Sequence, residues 1–445
     1  MGKKFQKALR DGRGQRLWRK AKTLIPGGNQ LLSKRAEMFL PEHWPAYYSR
    51  AKGAYIWDLD GRRYTDMSIM GVGANILGYG DPDVDRAAID AVKRSPMSTL
   101  NAPEEVELAE ELCRIHPWAD MVRYARTGGE SMAVAVRIAR AHTRRDIIAF
   151  CGYHGWSDWY LATNLERKNA LAGHLLAGLE PKGVPHGLTG TILPFRYNRL
   201  EELERIVKKH PTLAAIVMEP IRNVEPEKGF LQKVRKIADK AGAVLIFDEI
   251  TIGWRLVHGG AHLKYGVNPD IAVFGKALSN GYPMAAIIGR RKIMQSAQDS
   301  FISSTYWTDR IGPATTLAAL RKMRKVKLPQ QLARVGKEVR RIWLRAAKKH
   351  GLPIHINGVL PLSHFSFEGA DAQAAKTLFT QEMLRRGFLA TDSLYASLAH
   401  TPAILTQYAK AVDTVFGVIA AARKKGGVKK ALKGPVAHTG FQRLN

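Results

Sequence analysis

Short apolar runs rich in β-branched residues recur through the middle of the chain, at Met121–Ala125, Asp146–Phe150, Ala214–Met218, Val244–Phe247, Ile271–Phe274 and Ala285–Gly289. Their apolar character is nearly continuous rather than alternating, as expected of strands buried on both faces. Between many of them lie segments with helical periodicity, for example Met132–His142, Leu200–His210 and Leu231–Ala241. Strands that alternate with helices predict an α/β fold, a mostly parallel sheet covered by helices, over residues 75–324. Ahead of it, Tyr55-Ile-Trp-Asp-Leu-Asp60-Gly61-Arg-Arg-Tyr64 predicts a hairpin, with polar turn residues between apolar and aromatic flanks. That hairpin belongs to a separate N-terminal element within residues 1–74. Past residue 324 the chain turns helical and basic, with a strand near Leu362–Phe367, which predicts a smaller C-terminal domain over 325–425. The Gly-, Lys- and Pro-rich stretch 426–445 is expected to fray. No internal repeat is present.

At 445 residues and 45% hydrophobic content the chain has enough apolar material for a sizeable core, which fits a folded enzyme and excludes a disordered tail protein. No run approaches the roughly 20 apolar residues of a membrane-spanning helix, and Met1 to Arg19 is polar and basic. The expected location is therefore cytoplasmic, with no membrane partner. Two cysteines, Cys113 and Cys151, are too few for a disulfide framework and are not spaced as metal ligands.

Charge changes the picture more. Lys and Arg number 69 against 39 Asp and Glu, a net charge of +30. The excess gathers in an N-terminal arm (Lys3, Lys4, Lys7 and Arg10 through Lys22), in the segment Arg321–Lys349, and around Lys424, Lys425, Lys429 and Lys430. Such a surface attracts polyanions, so nucleic acid has to be weighed as a partner. Neither zinc-finger spacing nor an RNP-like aromatic signature accompanies the charge, and solvated basic helices are the favoured reading.

Candidate chemistry concentrates between Val244 and Gly289. One strand ends in Asp248-Glu249, and a second delivers Gly275-Lys276-Ala277 just past its end. Ligands of open α/β sheets collect at the carboxyl ends of strands, so this acid and this lysine can face one pocket. A lysine amine can take up an aldehyde cofactor, and a carboxylate can keep a pyridine nitrogen protonated. Taken singly, Lys276 would be one cation among 69 and Asp248 a helix cap. Upstream, Arg126-Thr127-Gly128-Gly129-Glu130-Ser131 stands between a strand and a helix. Glycines there let backbone amides approach an anion, the helix end offers a positive dipole, and Thr127 or Ser131 can add a hydroxyl. Cys151-Gly-Tyr153-His154-Gly155 follows another strand and places an aromatic ring where it could stack on a flat heterocycle.

Taken in order, Thr-Gly-Gly-Glu, Tyr-His-Gly, Met-Glu-Pro, Phe-Asp-Glu and Gly-Lys-Ala-Leu-Ser-Asn-Gly closely resemble the class III aminotransferases of pyridoxal 5'-phosphate (PLP) fold type I. Within them the chain looks most like the glutamate-1-semialdehyde aminomutase branch. The likeness runs from about Leu24 to Lys424. It implies a large PLP-binding α/β domain and a smaller α+β domain built from N- and C-terminal segments. By the same resemblance Lys276 matches the lysine that carries PLP as a Schiff base and shuttles a proton, and Asp248 matches the partner of the pyridine nitrogen. Gly128, Gly129 and Ser131 match the phosphate cup, Tyr153 the stacking aromatic, and His154 its neighbour in the same motif. Glu219 matches a family acid near the cofactor, and Thr305 a threonine reaching the phosphate of the neighbouring subunit. A homodimer with shared active sites follows from the family.

Several positions depart from the family pattern. A hydroxyl is missing at Gly129 and present at Ser131; Thr308-Asp309-Arg310 replaces a Gly-Asn-Pro run; and Gly253-Trp254-Arg255 replaces Gly-Phe-Arg. Trp254 could narrow the entrance or fill the core, and Arg255 could bind a substrate carboxylate or form a buried ion pair. The implied activity is a ping-pong aminotransferase working between an amino donor and a keto or aldehyde acceptor. Its alternatives are a 2,1-aminomutase, which moves the amino group within one molecule, and a polyanion-binding protein that has kept an enzyme fold. The basic surface favours an anionic substrate. No metal is expected.

Overall fold

A computed structural model describes residues 11–166, 169–174 and 177–440; of the basic N-terminal arm, Lys3, Lys4, Lys7 and Arg10 lie outside the described residues. Two compact units divide the chain, one from residues up to 81 together with 331 onward, the other from 82 to 330.

In the first unit, β1 (Tyr48–Lys52), β2 (Tyr55–Asp58) and β3 (Arg63–Met67) form an antiparallel meander. The hairpin predicted around Asp60-Gly61 is β2–β3, and Asp58 holds its turn by accepting the amides of Asp60 and Arg62 at 2.9 and 2.8 Å.

The second unit is built on seven strands: β4 (Met121–Ala125), β5 (Ile148–Cys151), β6 (Ile192–Pro194), β7 (Ala215–Met218), β8 (Val244–Asp248), β9 (Ile271–Phe274) and β10 (Ala285–Gly289). Their order is β4-β10-β9-β8-β7-β5-β6, parallel throughout except for β10, which runs antiparallel to both neighbours. Six of these strands match the predicted apolar runs to within two residues. β6 is a three-residue edge strand ending in Pro194, too short to stand out in the pattern.

Successive residues of each strand feed opposite faces of this sheet. Ile148 and Phe150, with Val217, Ile246 and Val273, pack against the helix Gly128–Thr143. Ala149, Cys151, Ile216 and Leu245 pack against Leu203, Val234 and Ala238 from the helices Leu200–Lys209 and Phe230–Ala241. Both faces are therefore covered, and every residue of β5, β7, β8, β9 and β10 is buried.

Returning to the first unit, β11 (Ile354–Asn357), β12 (Leu362–Phe367) and β14 (Ser393–Tyr395) form a three-stranded antiparallel sheet, and β13 (Phe388–Ala390) adds parallel to β3. Residues expected to fray are tied down as far as they are described. His438 donates its amide to the Glu37 carbonyl at 2.8 Å, Ala437 accepts from Gln373 Nε2 at 2.9 Å, and Val428 is 1% exposed. Apolar Val428 and Ala437 supply the burial that composition alone hides; residues 441–445 lie outside the described residues. Basic residues of Arg321–Lys349 are in part paired, Lys322 with Asp83 at 2.9 Å, Arg324 with Glu111 at 3.1 Å and Lys349 with Asp413 at 2.7 Å. No helix of the described residues is long and apolar enough to cross a membrane.

Candidate active site

Strand register decides which side chains meet. In the parallel part of the sheet Cys151 stands opposite Met218, Met218 opposite Phe247, and Asp248 opposite Val273, so β5, β7, β8 and β9 end on one edge. The antiparallel β10 starts where these strands end, pairing Ala285 with Ala125 and Ala286 with Phe274, which brings the end of β4 to that same edge. Tyr153, Glu219, Asp248, Lys276 and the Gly128-Gly129 turn therefore leave neighbouring strand ends, the place where an open α/β sheet gathers its ligands.

Lys276 occupies a strained position. Its φ is +46°, the left-handed region that a lysine seldom adopts, and such strain concentrates at functional sites. Nζ donates to Thr251 Oγ1 at 2.7 Å. Burial pushes the amine pKa down to about 8, and the positive charge of Arg222 pushes the same way, against Glu219 and Asp248. A lysine held this far below its usual range has a usable population of neutral, nucleophilic amine near neutral pH.

Asp248 is 3% exposed and fixed from two sides. Oδ1 accepts the Ile250 amide at 3.0 Å, and Oδ2 lies 2.8 Å from His154 Nδ1. His154 is itself buried, with Nε2 3.1 Å from the Cys151 carbonyl. Both ring nitrogens are thus engaged, which sets His154 behind Asp248 and makes it a positioning residue. Glu219 is also buried; it accepts the Tyr153 amide at 3.2 Å and pairs with Arg222 Nη1 at 3.2 Å.

Thr127 begins the helix Gly128–Thr143 with a capping box whose reciprocal arm carries Glu130 Oε2 back to the Thr127 amide at 3.1 Å. At Gly128 an added Cβ would lie 3.0 Å from Ile250 Cδ1, and at Gly129 one would lie 3.0 Å from Cδ1 and Nε1 of Trp156. Both glycines make room for a wall approaching the turn, and a glycine-lined helix start of this kind suits an anion. Ser131 does not extend the cup: its hydroxyl turns back to the carbonyls of Thr127 and Gly128, both at 2.9 Å. Thr305 stands apart, exposed at the start of the turn Thr305–Thr308. The unusual run after it is anchored rather than loose, since Asp309 pairs with Arg126, and Arg310 with Glu104 at 3.0 Å.

The open reading at Trp254 resolves. Trp254 is 1% exposed and packs on Phe274 at 5.6 Å between ring centres and on His116 at 6.0 Å, so it fills the core. Arg255 is 1% exposed and donates from Nε to the Thr251 carbonyl at 2.8 Å, and its positive charge acts on the Lys276 amine. Three site residues escaped sequence reasoning: Thr251, Ile250 and Arg222. The first two follow directly on Asp248-Glu249, but an apolar residue and a threonine carry no chemical signal. Arg222 was hidden by the abundance of arginines.

These features meet the requirements of PLP: a desolvated amine for its aldehyde, a fixed carboxylate for its ring nitrogen, an aromatic ring beside that carboxylate, and a glycine-lined helix end for its phosphate.

Comparison with known proteins agrees. The sequence model of the family "Aminotransferase class-III" matches residues 40–419. A 3-aminobutyryl-CoA aminotransferase of Cloacimonas acidaminovorans is 29% identical over 84% of this chain and 88% of its own. A glutamate-1-semialdehyde 2,1-aminomutase of Roseiflexus castenholzii is 33% identical over 93% of this chain and 99% of its own. Among solved structures, the PLP internal aldimine form of the FumI protein of Sphingopyxis sp. MTA144 superposes with a TM-score of 0.84 at 25% identity, covering 94% of this chain and 99% of that one.

Proposed function

The chain belongs to the class-III aminotransferase family and is a PLP-dependent enzyme; from that premise we propose that Lys276 is its catalytic lysine, in an aminotransferase that runs two successive half reactions between an amino donor and a keto or aldehyde acceptor. The observation that carries the assignment is the placement of Lys276, just past the end of β9 with Nζ on Thr251 Oγ1 at 2.7 Å, on the sheet edge where β8 ends in the buried Asp248.

When bound, PLP supplies an electron sink that acidifies the carbon bearing the transferred nitrogen. The chain's own groups do the rest. Lys276 Nζ anchors the cofactor and, once released, accepts and returns the proton of that carbon. Thr251 Oγ1, 2.7 Å away, holds Nζ in place. Asp248, fixed by His154 and the Ile250 amide, offers a negative charge to the ring nitrogen. Tyr153, its backbone fixed by Glu219, would stack on the ring, and Gly128 and Gly129 would hold the phosphate through backbone amides.

We assign the working form as a cytoplasmic homodimer. Leu100, Phe301 and Tyr306 are 81%, 89% and 72% exposed, and the segments that carry them adjoin through the bond from the Arg310 amide to the Pro96 carbonyl. Exposed apolar side chains of this kind suit a second copy of the chain. It would carry Thr305 to the partner's phosphate site.

Borohydride treatment of the holoenzyme tests the lysine: wild type should retain the cofactor covalently by intact mass, and Lys276→Ala should not. Labelling of the variant would overturn the assignment. A second reading, the 2,1-aminomutase, has the 33% identity over nearly the full chain in its favour. Turnover that requires an external amino donor and releases a keto product supports the aminotransferase, whereas conversion of a single substrate with neither supports the aminomutase.

A further inference from the structure

The hydroxyls at the start of the helix Gly128–Thr143 are already engaged. Thr127 is taken up by the capping box, Ser131 turns back to the carbonyls of Thr127 and Gly128, and positions 128 and 129 carry no side chain. Into that gap the loop after β5 brings Trp156. A Cβ at Gly129 would lie 3.0 Å from both Cδ1 and Nε1 of the indole, so the ring turns its N–H edge to the space that a side chain at 129 would fill. Two contacts press the loop on the turn. Gly155, at φ +102°, comes so close that a Cβ of its own would lie 2.9 Å from the Gly129 Cα, and Ser157 donates its hydroxyl to the Gly129 carbonyl at 3.3 Å. Upstream, the same loop is anchored by His154 on Asp248. The cup and the lysine share a wall as well, since Ile250, which faces Gly128, lies 3.5 Å from the Cβ position of Gly275, the residue before Lys276. An indole that only filled space would be buried, as Trp254 is. Trp156 is instead 70% exposed, and its Nε1 meets no acceptor among the described residues.

We propose that the Trp156 indole N–H is a side-chain donor to the phosphate of PLP, standing in for the hydroxyl that this chain lacks at Gly129. This rests on the reading of Gly128 and Gly129 as the phosphate cup and adds to it a residue from another strand end. An indole N–H donates and never accepts, so it suits an oxyanion that offers lone pairs, and it brings no charge of its own. The helix end attracts the anion through its dipole and amides, while the indole adds a directed bond from the side. Gly129 gains a reason from the same geometry: a side chain there would press on the donor.

The test titrates apo-protein with PLP and with pyridoxal, which has the same ring and aldehyde but no phosphate, and reads binding from the visible cofactor band. Trp156→Phe keeps the aromatic bulk and removes the N–H. It should raise the PLP dissociation constant about tenfold, the worth of one hydrogen bond to a charged group, and leave that of pyridoxal within about twofold of wild type. Unchanged pyridoxal affinity also shows that the variant folds. PLP affinity equal in wild type and W156F, or an equal loss for PLP and pyridoxal, would overturn the proposal. Gly128→Ala in the same titrations separates this outcome from failure of the cup. If Gly128→Ala weakens PLP and Trp156→Phe does not, only the role of Trp156 falls; if neither does, the cup falls with it.

Discussion

His154 Nδ1 lies 2.8 Å from Asp248 Oδ2, while the opposite nitrogen of the same ring faces a carbonyl oxygen at 3.1 Å. A carbonyl only accepts, so Nε2 carries a hydrogen, and the Nδ1 contact then holds a proton between imidazole and carboxylate. His154 thereby fixes the place of the acid at the end of β8.

Replacing His154 by Phe keeps the ring volume and strips Asp248 of this partner. Buried hydrogen bonds to charged groups are worth about 1.5–3 kcal/mol, so cofactor affinity and kcat should each fall about tenfold or more. His154→Gln should recover part of the loss. Unchanged cofactor affinity in His154→Phe, measured by fluorescence titration of apo-protein, would remove the positioning role.

A pKa near about 8 leaves roughly a tenth of the Lys276 amine neutral at pH 7, against about one part in three thousand for an ordinary lysine. Attachment of PLP to apo-protein should therefore quicken about tenfold per pH unit below 8 and level off above it. Because Arg222 contributes to the lowering, Arg222→Gln should move the midpoint upward. The sign for stability follows as well. Between about 8 and 10.5 the unfolded chain holds the proton that the folded apo-protein has released, so stability rises with pH across that window. A pH-independent attachment rate from about pH 6 to 9 would contradict the lowered pKa.

Gly128→Ala places a Cβ 3.0 Å from Ile250 Cδ1 and 3.2 Å from its Cγ2, two residues past the end of β8. The turn and Ile250 must then separate, and overpacking of this kind costs about 1–3 kcal/mol. We expect a cofactor dissociation constant raised about tenfold with secondary structure intact. An unaltered value would show that the turn tolerates a side chain.

Trp254→Ala should cost about 3–5 kcal/mol in denaturant unfolding of apo-protein, since a buried indole packed on Phe274 and His116 is removed. Trp254→Phe should be milder and should leave substrate preference unchanged, because the indole fills the core. A change of preference without loss of stability would return Trp254 to the entrance.

Much of this molecule was legible in its sequence, for a physical reason. Burial on both faces of a sheet requires near-continuous apolar runs, so β5, β7, β8, β9 and β10 announce themselves locally, and the helices between them carry their own period. Chemistry at strand ends follows from the same local signals, which is how Asp248 and Lys276 could be paired before any coordinates. β6 was missed because three residues give no period. Only the tertiary structure could show that Ser131 spends its hydroxyl on its own helix, that Trp254 is core, that Thr251 holds the lysine amine, and that Ile250 faces the Gly128 turn. Those facts depend on side chains from separate strands meeting through the order β4-β10-β9-β8-β7-β5-β6. Periodicity encodes which face of an element is buried; sheet order and register, set by contacts far apart in the chain, decide whose side chains share that edge.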